Sequence, residues 1–282
     1  MSDNSQATDD RATEAASRRR ITHWNGVAAT YDAHRPAAPS VLPPLLTQLA
    51  EAPHPELVVD LGSGTGLSTL LWADVARQVI GVEPNDEMRA EAQRRAERER
   101  PAATHVRFIA APAERTGLPD ACADIVTASQ AFHWMEPTAT LAEIARIMRP
   151  GGVFAAYDYD WPPTIMRESD NLFHSFMDRV VSVAETKGKR VGPAGWEKSG
   201  HLERMRASGH FRMVKEVALH NVEQGDVERF IGLTLSMSSI LAFGEVTAEE
   251  VDLAAYQRAA RQAFPATPIP WYISYHVRLA VK

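Results

Sequence analysis

Val58 to Leu70 reads VVDLGSGTGLSTL: an apolar run ends in an acid, and glycines then alternate along the chain at Gly62, Gly64 and Gly66. Glycine tolerates positive φ and lets another group approach the main chain closely. In an open α/β sheet, ligands sit outside the carboxyl ends of the strands, where such a bare turn would lie. The flanking sequence decides whether the chain forms such a sheet and which ligand suits the turn.

LVVDL (57–61), QVIGVE (78–83), HVRFIA (105–110), DIVTAS (124–129) and GVFAAYDY (152–159) are short apolar runs that read as strands. Between them, 67–76, 85–100 and 137–149 carry helical spacing. Asn85 is a natural N-cap, and Pro150-Gly151-Gly152 closes the last of these helices. Strands alternating with helices at this rhythm predict βαβ units and a parallel sheet covered on both faces. Two helices are expected upstream, over 20–31 and 39–50. After Tyr159 the alternation stops: 161–212 reads as helix and loop, 211–222 as a strand, 225–241 and 247–263 as helices, and 268–282 as a closing strand. The expected fold is therefore α/β, a Rossmann-like seven-stranded mostly parallel sheet with helices on both faces, plus N-terminal helices and a helical cap. The expected division is a disordered tail (1–20), an N-terminal helical segment (21–55), a ligand-binding core (56–160), a cap insertion (161–212) and a region completing sheet and pocket (213–282).

At 282 residues, with 45% apolar and 23% charged residues, the chain is ordinary for one large globular domain with a cap. The net charge of −6 argues against nucleic acid as a partner. Basic runs are local: Arg18-Arg19-Arg20, and QRRAERER (93–100), whose mixed signs suit a solvated helix face. One cysteine, Cys122, excludes an internal disulfide and a cysteine zinc site, which fits a reducing, cytoplasmic setting. The acidic leader has no apolar core of a signal peptide. The longest apolar window, Ile231 to Gly244, is too short to span a bilayer, so no membrane partner is expected. A monomer or homodimer is expected.

Three ligands need a bare strand-to-helix turn: a dinucleotide, a nucleotide phosphate, and S-adenosylmethionine. The spacing is G-x-G-x-G rather than the G-x-G-x-x-G of a pyrophosphate site, and Gly66 is followed by Leu67-Ser68 with no P-loop lysine. Glu83, 17 residues beyond Gly66 at the end of the second strand, can accept both ribose hydroxyls of an adenosine. Adenosine logic survives where phosphate logic fails, and a sulfonium cation would tolerate the nearby Asp60.

With these features in order, the sequence resembles a class I S-adenosylmethionine-dependent methyltransferase. DLGSGTG (60–66) and VEPNDEM (82–88) resemble the family's first two motifs. ASQAFHWM (128–135), WNGVAATYDAHRPAAPS (24–40) and GPAGWEKSGHL (192–202) resemble segments of its small-molecule, trans-aconitate methyltransferase-like branch. The resemblance implies S-adenosylmethionine as cofactor, with Gly62, Ser63, Gly64 and Gly66 along its methionine part and Glu83 on the ribose. It places Pro84 and Met88 beside the adenine and the Ala113 amide at the adenine edge. It puts Gln130 by the methionyl amine, and Tyr31 with Arg35 over the carboxylate. AAPAE (110–114) departs from the family at Pro112, which has no N–H and no side-chain acceptor.

The implied reaction is an in-line displacement that moves a methyl group to a small-molecule acceptor, such as a carboxylic acid or secondary metabolite. Positioning and exclusion of water carry most of it, and a base is needed only for a protonated acceptor. His133 is the candidate catalytic base or substrate ligand; Trp134 is a candidate pocket wall, and Arg35 could grip an anionic substrate. No histidine spacing suggests a metal. Two other readings stay open: a non-catalytic S-adenosylmethionine-binding protein, and a nicotinamide-dependent oxidoreductase.

Overall fold

The computed structural model describes residues 34–189, 195–237 and 246–282. The expected tail, the expected helix over 20–31 and Tyr31 lie outside them. Seven strands form one sheet: β1 (Val58–Leu61), β2 (Val79–Val82), β3 (Val106–Ile109), β4 (Ala123–Ser129), β5 (Met148–Tyr159), β6 (Met213–Gly225) and β7 (Ile269–Val281). Their order is β3-β2-β1-β4-β5-β7-β6. β1 to β5 pair in parallel, and β7 alone runs against its neighbours β5 and β6.

β1 and β2 are buried at every residue, as central parallel strands covered on both faces must be. Alternate residues serve opposite layers. Val58, Ile125 and Val153 point to a core shared with Leu42, Leu46 and Trp72. Val59, Val126 and Phe154 point to the other, shared with Leu141, Ile144 and Met205. The first layer holds helix α1 (Leu42–Leu49); the second holds α3 (Pro137–Ile147) and α5 (His201–Ala207). α2 (Asp86–Glu99) buries Met88, Ala92 and Ala96, one side chain per turn, and Asn85 Oδ1 caps it by accepting from Met88 N at 2.9 Å. Its outer face carries the expected charge pairs, such as Arg94–Glu91.

A third core lies beneath the cap. α4 (Arg167–Thr186), α6 (Val227–Met237) and α7 (Leu253–Ala263) pack Phe173, Phe176, Phe230 and Tyr256 around Trp271 of β7. No helix among the described residues is long and apolar enough to cross a membrane.

Two local expectations are corrected. Residues 67–76 form no α-helix: Thr69–Trp72 is a single 3-10 turn. Ser68 and Thr69 donate their hydroxyls to Asp60 at 2.6 and 2.7 Å, drawing the segment against the end of β1. The helix expected over 137–149 stops at Ile147, because Met148 already pairs with Ala123. Pro150-Gly151-Gly152 is then a bulge inside β5, with Gly151 at φ +77°, rather than a helix closure.

Candidate active site

A cavity opens at the carboxyl ends of β1, β2, β4 and β5. Of the residues singled out from sequence, Arg35, Gly62, Ser63, Glu83, Pro84, Met88, Ala113, Gln130 and Trp134 line it. Asp60, Gly64, Gly66 and His133 do not.

The turn divides its labour among the three glycines. A Cβ on Gly62 (φ +64°) would lie 2.7 Å from Ala131 Cβ, and one on Gly66 (φ +85°) 3.0 Å from the Phe108 ring, so both keep packed surfaces apart. A Cβ on Gly64 (φ +54°) would meet nothing within 4 Å, and its amide donates to Glu83 Oε2 at 2.9 Å. Glu83 Oε1 accepts from Asn85 N at 2.8 Å. Two main-chain amides thus aim the carboxylate at the cavity edge, while burial pushes its carboxyl above the ordinary range. Each carboxylate oxygen retains a second lone pair for a ligand hydroxyl.

Asp60 lies one layer deeper and is fully buried. It accepts the hydroxyls of Ser68 and Thr69 on one oxygen and of Thr127, at 2.7 Å, on the other. Burial raises its carboxyl despite these bonds. It is a structural tie between turn and sheet, not a lining group.

Pro112, Ala113 and Glu114 form a third side of the cavity. Glu143 of α3 holds this loop by accepting Thr116 N and Oγ1 at 2.7 and 2.6 Å, and the Arg146 bond keeps its carboxyl at about 2.

Arg35 borders the opposite side. It donates to Tyr159 Oη at 3.0 Å and to the Ser236 carbonyl at 3.3 Å, and its guanidinium lies 5.5 Å from the Trp161 ring centre. Tyr159 and Tyr275 complete this wall. Sequence reasoning missed both. Tyr159 could have been found as the last residue of the fifth strand, but Tyr275 enters from antiparallel β7 and needs the register.

His133 stands behind the wall, nearly buried, with Nδ1 at 3.7 Å from Asp158 Oδ1. Burial, then the charge of Lys198, pulls it down to about 3, so the ring is neutral near pH 7. Asp158 also takes Arg278 on Oδ2 at 2.9 Å and lies 3.0 Å from Lys198 Nζ. Burial pushes its carboxyl up, but Lys198, His133 and Arg278 outweigh it and hold it below the ordinary range. His201, fully buried beside them, is structural. Among the described residues no group of three His, Cys, Asp or Glu side chains could hold a metal ion.

The lining contains one guanidinium, Arg35, against two carboxylates, Glu83 and Glu114. With no helix start beneath the glycine turn, this is a poor setting for phosphate and a fitting one for an adenosine that carries a cation.

Known proteins resemble this chain in sequence and fold. A family model described as "Methyltransferase domain" matches residues 59–156. A Saccharomyces cerevisiae protein, named a probable S-adenosylmethionine-dependent methyltransferase, CRG1, is 28% identical over 154 residues, covering 54% of this chain and 52% of its own. The UbiE protein of Rubrivivax gelatinosus, a ubiquinone/menaquinone biosynthesis C-methyltransferase, is 35% identical over 119 residues, covering 41% and 44%. The chain thus spans about half or less of these curated relatives. A solved structure from Anaeromyxobacter dehalogenans, assigned as a type II methyltransferase, matches over 88% of this chain and 97% of its own, with a TM-score of 0.64 at 26% identity. A glycine turn feeding a 3-10 segment, an amide-held acid ending β2 and this concordance identify residues 59–156 as a methyltransferase domain.

Proposed function

We propose that the chain transfers a methyl group from S-adenosylmethionine to a small-molecule acceptor. The observation that carries the reading is Glu83, fixed by the amides of Gly64 and Asn85 at the edge of a cavity poor in cationic groups. Glu83 would accept the ribose hydroxyls, Pro84 and Met88 would flank the base, and the Pro112–Glu114 loop would border it. That cofactor supplies a methyl group already activated on sulfur, so the protein's part is to position the acceptor and exclude water.

Arg35 ties Tyr159 to Trp161, and Tyr159, Tyr275 and Trp134 give the acceptor side an aromatic character that suits a small organic molecule. Relatives named for quinone methylation point the same way. His133 stands back from the lining, so in this reading it supports the wall rather than serving as the base. Substrate choice falls to the cap, 161–212, and to 225–265. A cytoplasmic setting is part of the reading, supported by the single cysteine.

The test is incubation of purified protein with methyl-labelled S-adenosylmethionine and pools of small organic acceptors. Label recovered in a low-mass product supports the reading. Saturable cofactor binding with no transfer to any pool favours the non-catalytic alternative instead.

A further inference from the structure

We propose that Lys198 fixes Gln130 as a hydrogen-bond donor in the cavity wall, and that this donor recognises the carboxylate of the cofactor's amino-acid end. The inference rests on the cofactor reading above. Lys198 Nζ lies 2.8 Å from the Gln130 side-chain amide. An ammonium has three donors and no acceptor, so the amide atom facing it is the oxygen. The other end of the amide is then the NH2 group. It is buried and meets no hydrogen-bond partner among the described residues.

The arrangement resists inversion. Gln130 occupies the left-handed region at φ +49°, a conformation strained for a non-glycine residue that persists where surroundings enforce it. Its main-chain N–H is spent on Tyr157 O at 2.9 Å. Lys198 is anchored in turn 3.0 Å from Asp158 Oδ1. The segment bearing it is strapped to the end of β4 by Trp196 N donating to His133 O at 2.7 Å. Turning the amide over would set NH2 against an ammonium.

A buried NH2 calls for an acceptor oxygen. At the amino-acid end of the cofactor the carboxylate offers one, whereas the ammonium offers only donors. Resemblance alone put Gln130 beside the amine; the polarity set by Lys198 reverses that pairing. Lys198 is a positioning residue: it acts through Gln130.

Calorimetric titration of the full chain with S-adenosylhomocysteine, and with 5′-methylthioadenosine, which lacks the amino-acid end, tests this. Gln130→Glu replaces the donor by an acceptor of the same shape, next to a lysine that would keep it in place. S-adenosylhomocysteine should bind about tenfold or more weaker to it, and 5′-methylthioadenosine within about twofold of the unaltered protein. Lys198→Met should show the same split and Lys198→Arg should restore binding to within about threefold. Tighter or unchanged S-adenosylhomocysteine binding by Gln130→Glu overturns the proposal, since an amine partner would gain from the carboxylate. Equal losses for both ligands in Lys198→Met overturn it too, because the strap would then only hold the fold. If the unaltered protein binds neither ligand, the cofactor reading itself fails.

Discussion

At the ends of β1 and β2, the two carboxylates Asp60 and Glu83 have every oxygen engaged by a hydroxyl or a main-chain amide. At the ends of β4 and β5, Gln130 Nε2 and His133 Nδ1 are buried with no hydrogen-bond partner among the described residues. Both regions border one cavity, yet the carboxylates of the first are paired within the protein, the Ser63 hydroxyl apart, whereas the second leaves its nitrogens unpaired. A region whose carboxylates are already held in place is preorganised for a ligand that is always the same. Gln130, an unpaired donor in the lining itself, leaves a partner to be supplied by what binds there.

The largest expected break in that comparison comes from Asp60→Ala. Buried Thr69 and Thr127 and half-buried Ser68 would lose the acceptor they share, and urea denaturation should find the protein about 3–5 kcal/mol less stable. A loss under about 1 kcal/mol would mean the β1 end is not held this way.

Next come the glycines of the same turn. Gly62→Ala brings a Cβ within 2.7 Å of Ala131 and should cost about 2–3 kcal/mol, whereas Gly64→Ala meets open space and should cost about 1 kcal/mol from its φ alone. Equal costs for the two would remove the division of labour inferred for the turn.

The second region gives a smaller, pH-dependent effect. His133 is drawn down to about 3 when folded, against an ordinary value of 6.5. The unfolded chain therefore takes up a proton between pH 6.5 and 3 that the folded chain does not, and stability falls as the medium is acidified through that window. Asp60 and Glu83, with raised carboxyls, oppose this trend, so the contribution is isolated by comparison with His133→Asn. Relative to that variant, the unaltered protein should lose about 2 kcal/mol between pH 7 and pH 5. A constant difference across that range would place His133 in contact with water or with a compensating charge.

The same two regions explain what could be read in advance. The turn, Glu83, Asn85 and the five parallel strands depend on short stretches with strong local chemistry, and they stand within a residue or two of the expected positions, except that β5 begins four residues early at Met148. The seven-stranded sheet followed from adding two late alternating segments to those five. Local chemistry misled where a side chain overruled spacing: Ser68 and Thr69 reach for Asp60 instead of continuing a helix. Likewise, pairing between Met148 and Ala123 ends α3 early. On the other wall, Tyr275 and Lys198 come from segments more than 35 residues beyond β5, and only folding brings them to the site. Nothing near Lys198 in sequence announces Gln130 or Asp158.

The account's central claim is that the amide-held carboxylate ending β2 receives the ribose of an adenosine without phosphate. Calorimetric titration of the unaltered chain and of Glu83→Ala with S-adenosylhomocysteine tests it most directly, with NADH titrated in parallel. The account predicts saturable binding of S-adenosylhomocysteine, weakened by about 1.5–3 kcal/mol in the variant, and none of NADH. Undiminished affinity in Glu83→Ala, or NADH binding in place of the sulfur compound, would contradict it.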